Sequence, residues 1–328
     1  MFNNKIILLI GGEGYIGRCL CKYFLEKNYK VISFDNLIYD QKSHKVKKNY
    51  KFINGDIGKN SDLDKISKLN YDAIILLAGL VGDPITNKYK ILSKKINTIA
   101  LRNLIKKIYK WENSKKFIFI STCSNYGLSK SKYLTESSSL KPLSLYAKSK
   151  VEIEKYILKL KRKKSFNPTI LRFATAFGLS DRMRYDLTIN QFIFELFKKG
   201  FIEVYDFNTW RPYCHVKDFA RLINKVISAK DLLASYQIFN AGGNKNNFTK
   251  KNIAYTIRKK IGGKVVLLKK SQDKRNYVVD FSKVRKVLNF IPKYSVKYGV
   301  MEILKNLKLE KKKKINYKKM GNYNIVKK

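Results

Sequence analysis

Residues 6–17 read IILLIGGEGYIG, and the fold class can be inferred from this segment and the residues that follow it. Its aliphatic first half, residues 6–10, predicts a strand that is buried on both faces, as in a parallel sheet covered by helices. Glycines at positions 11, 14 and 17 permit a tight turn, a close approach of the backbone to a diphosphate, and tight packing of a helix on the strand. Glycine-rich turns also cap ordinary helices, so the triplet alone leaves two interpretations open.

The residues that follow this turn favour a dinucleotide site. A helix is expected over Arg18–Glu26 and a second apolar strand over Lys30–Phe34, and Asp35 stands at the end of that strand. A carboxylate at this place can bind both hydroxyls of an adenosine ribose. Because it would repel a 2′-phosphate, the expected cofactor is NAD and not NADP.

Strand and helix patterns alternate through the first half of the chain. Further strands are expected at 51–54, 73–77, 117–120 and 169–173, with a long helix over Tyr89–Tyr109. This alternation is typical of an α/β fold with a doubly wound parallel sheet, the Rossmann arrangement, here followed by a smaller C-terminal lobe. The expected units are an NAD-binding domain at 1–178 with segments near 212–242 packing back on it, a mainly substrate-binding lobe at 179–307, and a basic tail at 308–328.

The net charge of the chain is unusual. Lys and Arg total 70 against 24 Asp and Glu, which gives +46 for 328 residues. Such an excess can indicate binding to nucleic acid or to an anionic membrane. Lysine is spread through every segment, however, and no recognition-helix, RNP-type or zinc-finger motif accompanies it. We therefore expect solvated lysines and no specific nucleic-acid partner.

Membrane and metal signals are weak. No apolar run approaches the length of a membrane span, and the N-terminal apolar segment leads into the glycine turn without a signal-peptide cleavage site. The expected location is the cytoplasm. The cysteines at 19, 21, 123 and 214 are scattered, and two histidines are too few to complete a convincing zinc site. No metal is expected.

Two side chains four residues apart carry the expected chemistry. Tyr146 and Lys150 fall on one face of a helix that begins near Leu145. A phenol has a pKa of about 10, and a neighbouring cation such as the ammonium of Lys150 favours the phenolate that a base requires. The same spacing is also common for solvated surface pairs, so this pair alone does not define a site.

Five motifs follow one another in a recognisable order. They are the glycine turn, Asp35, Gly55-Asp56, Thr122 in a Ser-Thr-x-x-x-Tyr-Gly segment, and Tyr146-x-x-x-Lys150. Together they resemble the extended short-chain dehydrogenase/reductases, and within them the NAD-dependent epimerase/dehydratase group that acts on nucleotide sugars. The resemblance implies that Tyr146 removes a proton from a sugar hydroxyl while the attached hydrogen leaves as hydride to NAD. It also implies that Thr122 orients this hydroxyl and that Lys150 holds the nicotinamide ribose.

The same resemblance assigns binding residues. The expected cofactor contacts are Gly11, Gly14, Tyr15, Ile16, Gly17, Asp35, Asn36, Asp56, Ile57, Leu77, Ala78, Gly79, Asn97, Tyr146, Lys150 and Phe173. The expected contacts to a nucleotide-diphosphate sugar are Thr122, Arg182, Arg184, Asn190, Arg211 and Arg275. Guanidinium forks suit phosphate oxygens, although a surface salt bridge would equally explain each arginine. A turn or helix-cap role would equally explain Asp56.

The residues after Thr122 distinguish among the reactions of this group. Sugar 4,6-dehydratases of the group carry Asp-Glu there, whereas this chain has Cys123 and Ser124, which disfavours elimination of water. The expected function is NAD-dependent epimerisation of a nucleotide-diphosphate hexose, most often at C4, through a transient keto-sugar. The expected product is a precursor for polysaccharide synthesis. An NDP-4-keto-sugar reductase is the alternative, and a non-catalytic NAD-binding or nucleic-acid-binding scaffold is a third. A homodimer is usual for the group and is expected here.

Overall fold

The computed structural model describes residues 5–43, 48–111, 114–128, 133–269, 275–310 and 320–326, without the side chains of 114 and 115. Of the expected basic tail at 308–328, residues 311–319 and 327–328 lie outside this range. The strands are β1 (Ile6–Ile10), β2 (Lys30–Asp35), β3 (Tyr50–Asn54), β4 (Tyr71–Leu76), β5 (Ser114–Thr122), β6 (Pro168–Phe173), β7 (Thr175–Phe177), β8 (Phe201–Tyr205), β9 (Trp210–His215), β10 (Gln237–Ala241), β11 (Asn247–Thr249) and β12 (Lys264–Leu268). The α-helices are α1 (Tyr15–Glu26), α2 (Asn60–Ser67), α3 (Asp83–Lys88), α4 (Lys90–Lys94), α5 (Leu101–Lys110), α6 (Leu145–Lys159), α7 (Thr188–Lys199), α8 (Val216–Ser228), α9 (Asp231–Ala234), α10 (Lys250–Ile261), α11 (Ser282–Leu288) and α12 (Val296–Leu309).

The main sheet has seven parallel strands in the order β10-β6-β5-β4-β1-β2-β3. The strand order reverses direction at β1, which places the ligand-binding crevice of such sheets at the carboxyl ends of β1 and β4. Residues 7–10 of β1 are fully buried, as the unbroken aliphatic sequence requires. The predicted α/β class with a doubly wound parallel sheet is confirmed.

Helices cover both faces of this sheet. One apolar cluster joins α1 and α8 to the sheet, and a second joins α2, α5 and α6 to the opposite face. The sequence of α5 explains its packing, because Leu101, Leu104, Ile105 and Ile108 recur at helical spacing and are all fully buried. In each cluster, the apolar faces of the helices pack against apolar side chains of the strands.

The later part of the chain builds a smaller lobe and also returns to the sheet. The lobe packs α7, α10 and α12 around a third apolar cluster beside the small sheets β8-β12 and β7-β9-β11. In contrast, β10 pairs with β6 and completes the main sheet, and α11 packs against β10. The chain therefore crosses between the two units more than once, and the segment at 237–241 belongs to the sheet.

The helix that the sequence predicts over Tyr89–Tyr109 is not uniform. It contains α4, then a π-helical segment at Lys95–Ala100, and then α5. A π-helical turn inserts an extra residue per turn and is frequent near functional sites. Here the segment carries Asn97, which faces the loop after β4.

Candidate active site

The carboxyl ends of the parallel strands open into one cleft of about 400 Å³. This volume is within the range of small-molecule sites. Every residue that the sequence analysis assigns to cofactor or substrate lines this cleft, except Asn97 and Asn190. The structure thus brings the glycine turn, Asp35, Thr122, Tyr146 and Lys150 to one place.

The glycine turn forms a cradle in which side chains have no room. Gly11 has φ +88°, and a Cβ on it would lie 2.6 Å from the backbone nitrogen of Ala78. A Cβ on Gly17 would lie 2.5 Å from the carbonyl oxygen of Gly12. At its glycine positions the turn therefore presents bare backbone to the cleft, at the N-terminus of α1, where the helix dipole favours an anion.

A buried acid inside the turn holds it against the sheet. Glu13 accepts hydrogen bonds of 2.6 Å from both Ser33 Oγ and Tyr50 OH, and it forms a 3.0 Å ion pair with Arg18. These partners come from β2, β3 and α1. No motif assigns Glu13 a role, and two of its three partners, Ser33 and Tyr50, are 20 and 37 residues away in the chain.

Asp35 stands at the end of β2, as expected for a ribose ligand. Its carboxylate accepts hydrogen bonds from the backbone nitrogens of Glu13 (3.0 Å) and Leu37 (2.8 Å). Burial raises the pKa of Asp35, and these two bonds partly oppose the rise. The carboxylate is thus oriented at the cleft wall by fixed donors.

Asp56 fits both of the interpretations that its sequence context left open. Its Oδ1 accepts from Gly58 N at 2.7 Å, which is a turn role, and its Oδ2 accepts from Asn36 Nδ2 at 3.0 Å while the residue lines the cleft. The two interpretations are compatible, because the turn uses Oδ1 of Asp56 and the bond to Asn36 uses Oδ2.

The cleft fits a dinucleotide with an unphosphorylated adenosine ribose. The evidence is the bare backbone at the glycines of the turn, which a diphosphate can approach, and the acidic wall at Asp35, which would repel a phosphorylated ribose. NAD would be held there by these groups and by Lys150 further along the cleft.

The Tyr146 and Lys150 pair lies at the start of α6. Ser144 caps this helix by accepting from Ala147 N at 3.2 Å. Lys150 is buried, donates to the carbonyl oxygen of Ile120 at 2.8 Å, and has its Nζ 5.9 Å from the centre of the Tyr146 ring. The pair is therefore not a solvated surface pair.

Burial acts in opposite directions on these two groups. It lowers the pKa of Lys150 to about 8, and a small contribution from Glu154 opposes it. Burial also raises the pKa of Tyr146, which the charge of Arg184 opposes and that of Asp83 reinforces. The phenol is consequently protonated in the protein alone, and its use as a base requires additional positive charge in the cleft.

Thr122 ends β5 and caps the short 3₁₀ turn Cys123–Tyr126. Its Oγ1 accepts from Ser124 N at 3.1 Å, which fixes the hydroxyl at the cleft wall. Cys123 points away from the cleft lining: it is buried, its Sγ lies 3.2 Å from the carbonyl oxygen of Arg172, and burial raises the pKa of its thiol. The turn thus presents hydroxyls and no carboxylate to the cleft.

A buried ionic network connects α6 to the end of β5 and to β6. Glu154 accepts from Ser121 Oγ, from Asn125 Nδ2 at 2.8 Å and from Arg172 Nη2 at 2.7 Å. It sits one helical turn after Lys150 on α6, so it locks the catalytic helix to β5 and β6. The spacing of four residues after Lys150 was the available signal for Glu154, and sequence reasoning missed it.

Four arginines line the cleft, and their partners differ. Arg184 pairs with Asp186 at 2.6 Å, and Arg275 pairs with Asp83 at 2.7 Å. Arg211 is buried, with Nη1 donating to the Trp210 carbonyl at 2.7 Å and its guanidinium 5.0 Å from the centre of the Tyr277 ring. Arg182 hydrogen-bonds to Asn322 at 2.8 Å.

Asn97 and Asn190, which are expected to contact cofactor and substrate, are not among the residues that line the cleft and lie behind its wall. Asn97 Oδ1 accepts from Leu80 N at 2.8 Å and its Nδ2 donates to Leu80 O at 2.9 Å. Asn190 accepts from Gly178 N at 3.1 Å and donates to Tyr15 OH at 3.0 Å. The side-chain amides are hydrogen-bonded to other parts of the chain. Asn97 thereby positions Leu80, and Asn190 positions Tyr15, both of which line the cleft.

Some cleft residues were missed by sequence reasoning. They are Tyr39, Asp83, Asp186 and Asn322. Asp186 had a signal, because it follows Arg184 by two residues in an arginine-rich segment. The other three follow no motif, and Asn322 falls in the segment that was expected to be a solvated tail.

The described part of the chain was compared with the requirements of a metal site and of a membrane-spanning helix. Among these residues there is no group of three or more His, Cys, Asp or Glu side chains placed to hold a metal ion. Within the same residues, no helix combines the length and the apolar character that crossing a membrane requires.

Comparison with known proteins gives consistent matches. A UDP-glucuronate 4-epimerase of Thermodesulfobacterium geofontis is 27% identical, over 92% of this chain and 99% of that protein. A UDP-glucose 4-epimerase of Halalkalibacterium halodurans is 27% identical, over 88% and 91%. A crystal structure of a UDP-glucose 4-epimerase from Thermotoga maritima with UDP-glucose matches with a TM-score of 0.81 and 25% identity, over 93% of this chain and 99% of that one.

The family assignment rests on more than these pairwise matches. The model of the NAD dependent epimerase/dehydratase family matches residues 7–242, from β1 through the end of the main sheet. This range includes the glycine turn, Thr122 and the Tyr146 and Lys150 pair. The chain therefore belongs to the NAD dependent epimerase/dehydratase family.

Proposed function

We propose that the protein is an NAD-dependent nucleotide-sugar epimerase that inverts C4 of a nucleotide-diphosphate hexose through a transient keto-sugar. The observation that carries the proposal is the content of the cleft wall. Thr122, Tyr146 and Lys150 share the cleft with four arginines, while the turn after Thr122 offers no acid for elimination. The site is thus equipped for reversible hydride chemistry on a phosphorylated sugar, and the turn after Thr122 lacks the acid and base that dehydration requires.

The residues of the chain have separable tasks in this reaction. Bound NAD supplies a hydride acceptor and donor and the positive charge of its oxidised ring. Tyr146 takes the proton of the sugar hydroxyl and later returns it, with its phenolate favoured by the cationic surroundings. Lys150 is held by Ile120 O, so its ammonium is fixed in place, and Thr122 offers a hydroxyl that orients the reacting oxygen.

Epimerisation requires that the keto-sugar expose its second face without leaving. Arg211 and Arg275 line the cleft, and each guanidinium is oriented by a partner, Trp210 O and Asp83 respectively. Guanidinium forks bind diphosphate oxygens bidentately. A nucleotide diphosphate anchored there would keep the sugar in the cleft while it rotates between the two hydride transfers.

Dehydration is disfavoured by the position and the state of Cys123. Elimination of water needs an acid and a base near the oxidised sugar. Cys123 is buried against Arg172 O with a raised pKa, and Ser124 is a neutral hydroxyl. The named relatives that are quoted above act at C4 according to their names, which supports the same position here.

The remaining parts of the proposal follow from this activity. A nucleotide-diphosphate sugar is the partner, because the arginines match its diphosphate. The enzyme acts in the cytoplasm, as a homodimer, on precursors of polysaccharides. Neither the lysine-rich surface nor the cleft contains a nucleic-acid-binding motif within the described residues, and the proposal needs none.

The test is a product assay by NMR. The purified protein is incubated with UDP-, dTDP-, GDP- and CDP-hexoses without added reductant, beside Tyr146→Phe and the control Tyr156→Phe on the same helix. We expect a C4 epimer without net change in NADH, unchanged in the control and reduced by about 10²–10⁴-fold in Tyr146→Phe.

Other outcomes would redirect the proposal. If no sugar is epimerised while a 4-keto-sugar is reduced at the expense of NADH, the protein is a ketoreductase that uses the same residues once. If Tyr146→Phe retains full epimerase activity, the proposed role of the phenol is wrong.

A further inference from the structure

The C-terminal segment Met320–Val326 lies across the mouth of the cleft. Met320 O accepts from Tyr185 N of the lobe at 2.8 Å, and Val326 N donates to Ile38 O of the loop after β2 at 3.0 Å. Between them, Asn322 Nδ2 donates to Val81 O of the loop after β4 at 3.1 Å. One short segment therefore ties together the lobe and two loops at the carboxyl edge of the main sheet.

Asn322 is the residue of this segment that faces the cleft. Its exposed fraction is 6%, and it is part of the cleft lining. Its Oδ1 accepts from Arg182 Nη2 at 2.8 Å while its Nδ2 is bonded to Val81 O. Both ends of the amide are used, so Asn322 fixes the guanidinium of Arg182 relative to the loop after β4.

Arg182 lies on the cofactor side of the cleft. Its guanidinium is 4.5 Å from the centre of the Tyr39 ring, which belongs to the loop after β2. It is also close enough to the carboxylate of Asp35 that its charge partly opposes the rise that burial causes in the pKa of that group. The sequence analysis assigned Arg182 to the substrate, but these neighbours surround the expected place of the adenosine half of NAD.

Two polar groups at this point have no anionic partner among the residues that the structure describes. Arg182 forms no ion pair with any described carboxylate, and burial lowers its pKa to about 10. The hydroxyl of Tyr39 is buried and, among the described residues, has no hydrogen-bond partner. Partly burying a cation beside a buried hydroxyl is unfavourable unless an acceptor, preferably an anion, binds to them.

We propose that Arg182 and Tyr39 bind the diphosphate of the dinucleotide cofactor, and that Asn322, with the segment Met320–Val326, holds Arg182 over it and retains the cofactor. The glycine turn offers backbone N–H groups from the sheet side, and Arg182 offers a guanidinium fork from the opposite side. The diphosphate is then enclosed between the two. This inference concerns the cofactor and is independent of which sugar the enzyme uses.

The first experiment measures retention of NAD by the full-length protein. Wild type, Arg182→Gln, Asn322→Ala and a chain that ends at residue 319 are gel-filtered, and the nucleotide released on denaturation is quantified over time. Asn324→Ala is the matched control, because Asn324 lies in the same segment but bonds to exposed Lys88. We expect roughly tenfold faster loss of NAD in the first three variants, as for one lost charge-assisted hydrogen bond, and no change in the control.

The second experiment distinguishes the diphosphate from the rest of the cofactor. NAD-free protein is titrated with ADP-ribose and with adenosine. Arg182→Gln should weaken binding of ADP-ribose by roughly tenfold and leave binding of adenosine unchanged, with circular dichroism confirming the fold.

The same measurements can overturn the proposal. Wild-type retention of NAD in Arg182→Gln and Asn322→Ala would refute it. Unchanged retention together with a raised KM for the nucleotide sugar would return Arg182 to the substrate site. Equal weakening of ADP-ribose and adenosine would show that Arg182 does not contact the diphosphate.

Discussion

Replacing Lys150 with Met is predicted to abolish activity and at the same time to stabilise the NAD-free protein near neutral pH. Lys150 is buried, and desolvation lowers its pKa from 10.5 to about 8. Below that pH the folded state carries a buried charge that the unfolded chain keeps in water. The residue therefore serves the reaction at a cost to stability.

The magnitude follows from the pKa and one hydrogen bond. A pKa of about 8 in place of 10.5 corresponds to about 3 kcal/mol of destabilisation at neutral pH. Met removes this charge and keeps an unbranched apolar side chain. It also leaves Ile120 O without its 2.8 Å donor, which costs about 1 kcal/mol. The free energy of unfolding should rise by about 2 kcal/mol.

The effect should depend on pH in a defined direction. The cost of the buried ammonium is fully present below the folded pKa of about 8 and disappears as the pH rises toward 10.5, because the unfolded chain then loses the same proton. The advantage of Lys150→Met over wild type should therefore shrink across this interval.

Urea denaturation of NAD-free protein at about pH 7 and about pH 10 measures the effect. Lys148→Met, which changes an exposed lysine of the same helix, is the matched control and should change stability little. Activity should fall at least about 10²-fold in Lys150→Met only. If Lys150→Met is less stable than wild type at neutral pH, or if its advantage is unchanged at high pH, the buried ammonium does not destabilise the fold.

Three further predictions concern the cradle, the buried network and acid stability. Gly11→Ala should lose NAD on gel filtration, because its Cβ would lie 2.6 Å from Ala78 N at a backbone φ of +88°; a normal NAD content would contradict this. Glu154→Gln should lower the free energy of unfolding by about 3–5 kcal/mol in urea titrations, since it leaves the buried Arg172 without its carboxylate; a loss near zero would mean that the network relaxes. Burial raises the pKa of Glu302, but its hydrogen bonds with His215 and Lys217 outweigh this effect and lower the pKa to about 2. The contribution of Glu302 to stability is therefore present above pH 4.5 and should be lost as the pH falls toward 2. Acid titration of Glu302→Gln should lack this component.

The sequence predicted the sheet well because its signals are local. An aliphatic run, a glycine turn and an acid at the next strand end specify β1, α1 and β2 almost residue by residue. The signal weakens where elements depend on distant partners. The strand at Gln237–Ala241 was not predicted as a strand, because only its pairing with β6 makes it part of the sheet.

The same distinction holds for the site. Thr122, Tyr146 and Lys150 are carried by motifs with fixed spacing, and they line the cleft. The residues that support them, such as Glu13, and those that close the cleft, such as Asn322, bind partners far along the chain. No spacing rule links Asn322 to Val81, since 241 residues separate them. Long-range hydrogen bonds are therefore where sequence reasoning fails.

The positive charge of the chain is divided between two kinds of residue with different physical tasks. Among the described lysines only Lys150 is buried, whereas Arg172, Arg184 and Arg211 are all buried. An ammonium is strongly hydrated and favours the surface, while a guanidinium keeps planar, directed hydrogen bonds when it is removed from water. The excess lysines are thus solvated surface residues that attract anionic substrates. Salt should screen this attraction, because exposed charges interact weakly beyond a Debye length of about 10 Å at moderate salt. Of the cleft arginines, Arg184 and Arg211 are buried, and Arg182 and Arg275 are partly buried. All four guanidinium groups are oriented by partners, so the binding they provide should persist where that attraction is lost.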